Sequence, residues 1–270
     1  MNPKRVSIIG TGLIGASIGL ALKSLGVEVL GCDRSVENLE IAKRRQAIDS
    51  MVELSAAAEA DFVFVCVPPS ALLATCSELL PLVTEDAVVT DCGSVKSEMA
   101  SLAREFPNFV PGHPMAGHEK GGPKFATPWL FKNAKWLLTP VAETSAAAID
   151  RAKQMVRLLE ADPVMIGADE HDKFVAICSH LPHVLAGSLV RLATEHQLPE
   201  MFGGSWKDLT RVAGVDPGLW SDILISNSAE LPAVLQAMEA EIAAVRLLVE
   251  SGDRAAVAEW FKEVQIAKGD

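Results

Sequence analysis

Positive charge is what the chain most plainly lacks. Its 24 lysines and arginines face 35 aspartates and glutamates, a formal net charge of −11. A basic footprint for nucleic acid is therefore absent, and an anionic membrane surface would repel the chain on average. Neither is expected as a partner, although a local basic pocket for an anionic metabolite is compatible with this balance. Uninterrupted apolar runs of the ~18 residues that a membrane span needs are also missing. Met1-Asn2-Pro3-Lys4-Arg5 leads straight into a strand-like apolar run, so no signal peptide is expected. Cysteine is scarce and odd in number: the five are Cys32, Cys66, Cys76, Cys92 and Cys178. No Cys-x-x-Cys pair occurs, and three of the five sit inside apolar stretches. That argues against a disulfide framework and for reduced, buried thiols in a cytoplasmic protein. His171, His180 and His183 lie near one another in sequence, but no cysteine or carboxylate pattern completes a zinc site, so no metal is expected. Tyrosine is absent, which is incidental.

What is present is an ordinary globular composition, 49% hydrophobic and 22% charged over 270 residues, enough for one large or two modest domains. In the first half, short apolar runs alternate with helical segments. Strands are expected around Val6–Ile9, Val27–Asp33, Asp61–Val67, Ala87–Asp91 and Phe109–Gly112, with two more at Trp136–Thr139 and Pro163–Ile166. Near-continuous apolar strands in a βαβ rhythm predict an α/β fold, a doubly wound and mostly parallel sheet covered on both faces. From Ala168 onward the pattern is helical. The boundary is placed near Gly167, giving an α/β domain over 1–167, in which the cofactor reading below is placed, and a helical domain over 168–270.

The first run ends in Gly10-Thr11-Gly12-Leu13-Ile14-Gly15. Gly-x-Gly-x-x-Gly alone is a weak signal, but here a strand precedes it and a helix follows. Gly10 permits the tight turn, Gly12 lets the backbone approach a pyrophosphate, and Gly15 lets helix and strand pack closely. The second strand ends in Asp33, where a carboxylate would bond a ribose 2′-hydroxyl. Asp33 favours NAD because it repels the 2′-phosphate of NADP. Arg34 beside it keeps NADP as the alternative. Leu13, Ile14, Val67 and Pro68 complete the expected cofactor contacts.

Three further segments carry chemistry. Asp91-Cys92-Gly93-Ser94-Val95-Lys96 lies at a strand's C-terminal end, the edge where ligands bind in open α/β sheets; Ser94 reads equally as the N-cap of the next helix. His113-Pro114-Met115-Ala116-Gly117-His118-Glu119 follows a short strand and looks like an imidazole fixed at a strand end. Ser179-His180-Leu181-Pro182-His183 puts two imidazoles at i and i+3 on a helix that Pro182 should kink. Later, Lys207 and Arg211 stand at i and i+4, a candidate carboxylate clamp or a solvated face. Asp216-Pro217-Gly218-Leu219-Trp220 is a turn with an aromatic residue.

Taken together, these segments resemble the prephenate/arogenate dehydrogenase family of tyrosine biosynthesis, over nearly the whole chain. The resemblance implies a Rossmann domain followed by a helical dimerisation domain, hence a homodimer, with the active site in the cleft between them. It implies NAD(P)-dependent oxidative decarboxylation of prephenate to 4-hydroxyphenylpyruvate, or of arogenate to tyrosine. It makes His113 the catalytic histidine on the ring hydroxyl, with Ser94 orienting His113 beside the nicotinamide, and Arg211 the ligand of a substrate carboxylate. Glu119, Lys207, His183 and Trp220 match positions around the pocket. His183 as a donor to a keto group inclines the reading toward prephenate. The chain is short for an additional chorismate mutase or ACT domain, and tyrosine as an inhibitor would act at the active site. Other two-domain Rossmann dehydrogenases, or a catalytically silent NAD-sensing protein, are the rivals; neither explains the His113 and His180–His183 segments together.

Overall fold

The computed structural model describes residues 3–118, 120–197 and 203–269. The N-terminal half alternates strand and helix: β1 (Arg5–Ile9), α1 (Leu13–Lys23), β2 (Glu28–Cys32), α2 (Val36–Arg44), β3 (Ser50–Met51), α3 (Leu54–Ala57), β4 (Phe62–Val65), α4 (Pro69–Leu79), β5 (Val88–Asp91) and α5 (Ser97–Ala103). The five strands form one parallel sheet in the order β3-β2-β1-β4-β5. Its order reverses at β1, so the crevice beyond the strand ends next to β1 is the expected ligand site. β4 has no polar residue because both of its faces are covered. Phe62 and Phe64 enter one core with Ile8, Ile18 and Trp136. Val63 and Val65 enter the other with Leu72, Leu79 and Phe109.

The sheet is not continuous through the later strands. β6 (Gly112–Pro114), β7 (Lys135–Leu138) and β8 (Asp162–Met165) form a second, three-stranded sheet, with α6 (Ala146–Leu158) between β7 and β8. β6 pairs antiparallel with β7, and β7 parallel with β8. The strand expected at Phe109–Gly112 therefore lies further on, and His113 sits within it rather than after it. Phe109 makes only an isolated bridge to Val89. Gly112 opens β6 where β5 comes closest: a Cβ there would stand 2.8 Å from both Thr90 Oγ1 and Trp136 Nε1.

The C-terminal half is helical: α7 (Ala168–Val175), α8 (Leu181–Glu195), α9 (Gly204–Thr210), α10 (Pro217–Ser226), α11 (Leu231–Ser251) and α12 (Arg254–Lys268). α7 and α8 are joined by a π-turn at Ala176–His180. Pro182 has no N–H to continue an α-helical ladder, and the wider turn before it absorbs that interruption. The run from Ala168 to Glu195, 28 residues with hydropathy 1.3 in its most apolar window, is long and apolar enough to cross a membrane by length and composition. Polar residues interrupt the stretch, so it differs from the expectation that no run of membrane-spanning length occurs. Its buried face nevertheless carries His171, Asp172 and His180 and packs on α5 and α11.

Candidate active site

The glycine turn joins β1 to α1 with Gly10 at φ +91°, its N–H donating to Cys32 O at 2.8 Å. A Cβ on Gly10 would come 2.6 Å from Cys66 O, so the turn is pressed onto the chain leaving β4. Gly12 differs: a Cβ there would meet nothing within 4 Å. Gly12 is also the N-cap of α1 and offers no side-chain cap to the helix. The first amides of α1, including those of Leu13 and Ile14, lie at the positive end of the helix next to this open space, which fits a pyrophosphate. Val67 is half-buried and Pro68 exposed at the end of β4, and Arg34 is exposed after β2.

Asp33 does more than the ribose role expected of it. Its Oδ2 accepts from Thr11 N at 2.7 Å and Thr11 Oγ1 at 3.0 Å, and its Oδ1 accepts from Ser35 N at 2.8 Å. The carboxylate therefore braces the glycine turn from the second strand, and being half-buried it still presents an edge to a ligand.

Beyond β5, Asp91 is fully buried and pairs with the buried Lys96 ammonium. Asp91 also accepts from Gly93 N at 2.8 Å and Gly112 N at 3.1 Å, while Lys96 Nζ donates to Gly112 O at 2.8 Å. One ion pair thus fixes the residue that precedes His113. His113 Nδ1 lies 2.9 Å from His171 Nε2, and His171 Nδ1 lies 2.7 Å from Asp172 Oδ1. Asp172 accepts in addition from Lys96 N at 2.8 Å, from Ser97 N at 2.9 Å and from the Ser97 hydroxyl. A carboxylate on α7 therefore caps α5 across the domain boundary. Ser94 is not the N-cap of that helix, which begins at Ser97. Ser94 makes no hydrogen bond to His113 among the described residues; it lines a small crevice with Pro69, Leu72 and Ser226.

Burial pushes the His113 imidazole well below its ordinary range, with His171, Lys96 and His180 adding in the same direction. Burial also lowers His171, against the raising effect of its Asp172 hydrogen bond. Burial pushes the Asp172 carboxyl up, but hydrogen bonds from His171, Ser97 and Lys96 N outweigh it, and the net shift is down. The cluster at neutral pH is two neutral imidazoles on one carboxylate.

The second imidazole group lies along α8. His180 is buried, lowered by desolvation to about 4, and accepts at Nδ1 from Asn227 Nδ2 at 3.2 Å. That same amide donates to Asp172 O at 2.9 Å, linking the two groups. His183 stacks on Trp220 with ring centroids 3.5 Å apart. Its Nδ1 is 2.8 Å from Ser179 O, and a carbonyl only accepts, so Nδ1 carries the proton. In neutral His183 the other nitrogen, Nε2, is then an acceptor. The expectation of a His183 donor for a keto group does not match this geometry.

Burial lowers His183, and the Arg211 guanidinium adds to the effect, which places that cation beside it. α9 ends at Thr210 and runs directly into a tighter turn that opens with Arg211; Lys207 is exposed and makes no hydrogen bond or ion pair to the histidines among the described residues. Glu119 lies outside the described residues.

Lys96 closes the segment Asp91–Lys96 that was expected to carry chemistry, but its pairing with Asp91 was not expected, and His171, Asp172 and Asn227 had no place among the expected site residues.

A Rossmann domain with a glycine turn open at Gly12, joined to a helical domain whose first helix carries a buried imidazole–carboxylate pair against His113, is the architecture of a two-domain dinucleotide-dependent dehydrogenase. The prephenate dehydrogenase nucleotide-binding domain matches residues 18–165, and the prephenate dehydrogenase dimerization domain matches residues 167–263. The prephenate dehydrogenase of Lactococcus lactis is 36% identical over 96% of this chain and 75% of its own. The cyclohexadienyl dehydrogenase of Zymomonas mobilis is 34% identical over 98% of this chain and 95% of its own. The crystal structure of prephenate dehydrogenase from Aquifex aeolicus, in complex with hydroxyphenyl propionate and NAD+, superposes with a TM-score of 0.91 at 28% identity, covering 99% of this chain and 98% of that one. The chain belongs to the prephenate dehydrogenase family of NAD-dependent oxidoreductases.

Proposed function

We propose that the chain oxidatively decarboxylates prephenate to 4-hydroxyphenylpyruvate, a step of tyrosine biosynthesis, with His113 as the catalytic base. The observation that carries the assignment of His113 is its neutral, anchored imidazole at the start of the second sheet, beyond the strand ends that carry the glycine turn. NAD, when bound along Gly10, Gly12, Leu13, Ile14, Gly15, Asp33, Val67 and Pro68, supplies the acceptor for the hydride that leaves the ring carbinol carbon.

The protein's own part is proton and charge management. As the hydroxyl carbon becomes a carbonyl, its O–H bond breaks and His113 takes the proton. Ser94, in the interdomain crevice, offers a hydroxyl to the same oxygen. Arg211 binds a substrate carboxylate, to which its planar fork is matched. His183 and Trp220 form one stacked wall of the pocket. For Glu119 and Lys207 the family resemblance implies substrate-binding roles. Loss of carbon dioxide aromatises the ring and makes the reaction effectively irreversible.

One observation favours arogenate as a second substrate. His183 presents a lone pair rather than an N–H, and a lone pair suits the side-chain ammonium of arogenate better than the keto oxygen of prephenate. Initial rates of NADH formation with prephenate and with arogenate, side by side, decide between them. Higher kcat/KM for prephenate supports the first reading; turnover of neither, with tight NAD binding, points to a sensor. Repeating the assay with NADP tests Asp33: kcat/KM should favour NAD over NADP.

A homodimer belongs to the same proposal. Ile242, Leu247, Val249, Phe261, Val264 and Ile266 leave apolar side chains exposed on α11 and α12, the kind of surface a second copy would cover. Tyrosine as an inhibitor at the active site and a cytoplasmic location, in keeping with five free thiols, complete it.

A further inference from the structure

The imidazole of His113 has two nitrogens, and only one of them can serve as the base. Which one is free follows from the hydrogen bonds behind it. Asp172 accepts at both oxygens: Oδ1 from His171 and Lys96 N, Oδ2 from Ser97 N and the Ser97 hydroxyl. An ionised carboxylate is acceptor-only. His171 Nδ1 must therefore donate to Asp172, which leaves His171 Nε2, in the neutral ring, as an acceptor. The atom 2.9 Å from that acceptor is His113 Nδ1, which must then carry a proton.

We infer that His171 and Asp172 are positioning residues that hold the resting proton of His113 on Nδ1 and leave Nε2 as the catalytic lone pair. This rests on His113 being the base of the proposed reaction. When the substrate O–H bond breaks, the new N–H bond forms at Nε2 and His113 becomes an imidazolium. Its Nδ1–H still donates to His171, whose own N–H donates to the Asp172 carboxylate. The charge that develops on His113 is thereby answered through one ring by an anion that never touches the substrate, the division of labour known from Ser-His-Asp triads. Asp172 also caps α5, so this alignment exists only while the helical and dinucleotide domains are docked. The other charged or titratable groups facing the pair are Lys96, Asp91 and His180.

The test reads the tautomer directly. Two-bond 1H–15N spectra of the resting holoenzyme, with 15N-labelled histidine, should show His113 protonated at Nδ1 and unprotonated at Nε2. His171→Phe removes the acceptor. It should abolish that preference and lower kcat for prephenate by about 10²-fold or more while KM changes less than about threefold. His171→Gln keeps a carbonyl that can accept from Nδ1 and should recover about tenfold or more of the lost kcat. His113 protonated at Nε2 in the native protein overturns the inference, as do equal kcat values in the Phe and Gln variants. Should the Phe variant not fold, the native tautomer decides. Absence of turnover in the native protein, with the tautomer as stated, would count against the substrate and not against this arrangement.

Discussion

Lys96→Met is the sharpest perturbation of the framework behind the site. Lys96 and Asp91 are both completely buried, and methionine nearly matches the lysine stem in volume, so packing changes little. What changes is charge: the Asp91 carboxylate is left in the interior with only the amides of Gly93 and Gly112 as donors. Removing one partner of a buried pair typically costs about 3–5 kcal/mol, because the surviving charge is uncompensated. For a chain of this size that corresponds to a fall in Tm of about 6–20 °C. Thermal unfolding followed by circular dichroism measures it. Adding Asp91→Asn to Lys96→Met removes the stranded charge and should raise Tm above that of the single variant. A fall of less than about 2 °C in Lys96→Met, or a double variant less stable than the single one, refutes the reasoning.

Other consequences follow from the same geometry. Gly12→Ala finds open space, so its Tm should match the native protein, but the methyl group fills the phosphate cradle and Kd for NAD should rise; unchanged affinity contradicts that use of the turn. Gly10→Ala, at positive φ and against Cys66 O, should lose both stability and NAD affinity in the same two measurements. Arg211→Ala should raise KM for prephenate about 10- to 100-fold, the worth of a charged hydrogen bond, with kcat nearly kept; a loss confined to kcat removes Arg211 from binding. Acid should destabilise the fold through His180. The unfolded chain takes up its proton near pH ~6.5, whereas the folded state resists until about 4. Stability is therefore intact above pH ~6.5 and lost progressively below it, by about 3 kcal/mol from this residue. Asp172, lowered in the fold, acts in the same sense. A Tm that stays flat from neutral pH down to about 5 would contradict this.

The parallel sheet was legible because its strands are short apolar runs punctuated by glycine and proline. β3 was not, being two exposed residues without periodicity. The strand carrying His113 was displaced because Phe109 and Val110, the apolar residues that suggested it, are fully buried yet outside any extended strand pairing. Gly112-His113-Pro114 has almost no strand propensity and becomes a strand only by pairing with β7. At the site, the glycine turn and His113 were visible as local patterns. His171 and Asp172 were not, because Ala168-Asp169-Glu170-His171-Asp172-Lys173 reads as the solvated, acidic first turn of a helix. Both are 0% exposed only because α7 docks on α5, a tertiary fact with no local signature. The spacing of Lys207 and Arg211 spans the junction of α9 with the tighter turn that follows it directly, a change of helix type that the sequence pattern does not mark.

The central claim is that a neutral His113 takes the hydroxyl proton of prephenate. Steady-state kinetics of His113→Asn with prephenate and NAD test it most directly, since asparagine keeps the size and loses the base. The account predicts a kcat lower by about 10²- to 10⁴-fold with KM within about threefold of the native value. A kcat near the native value would contradict it.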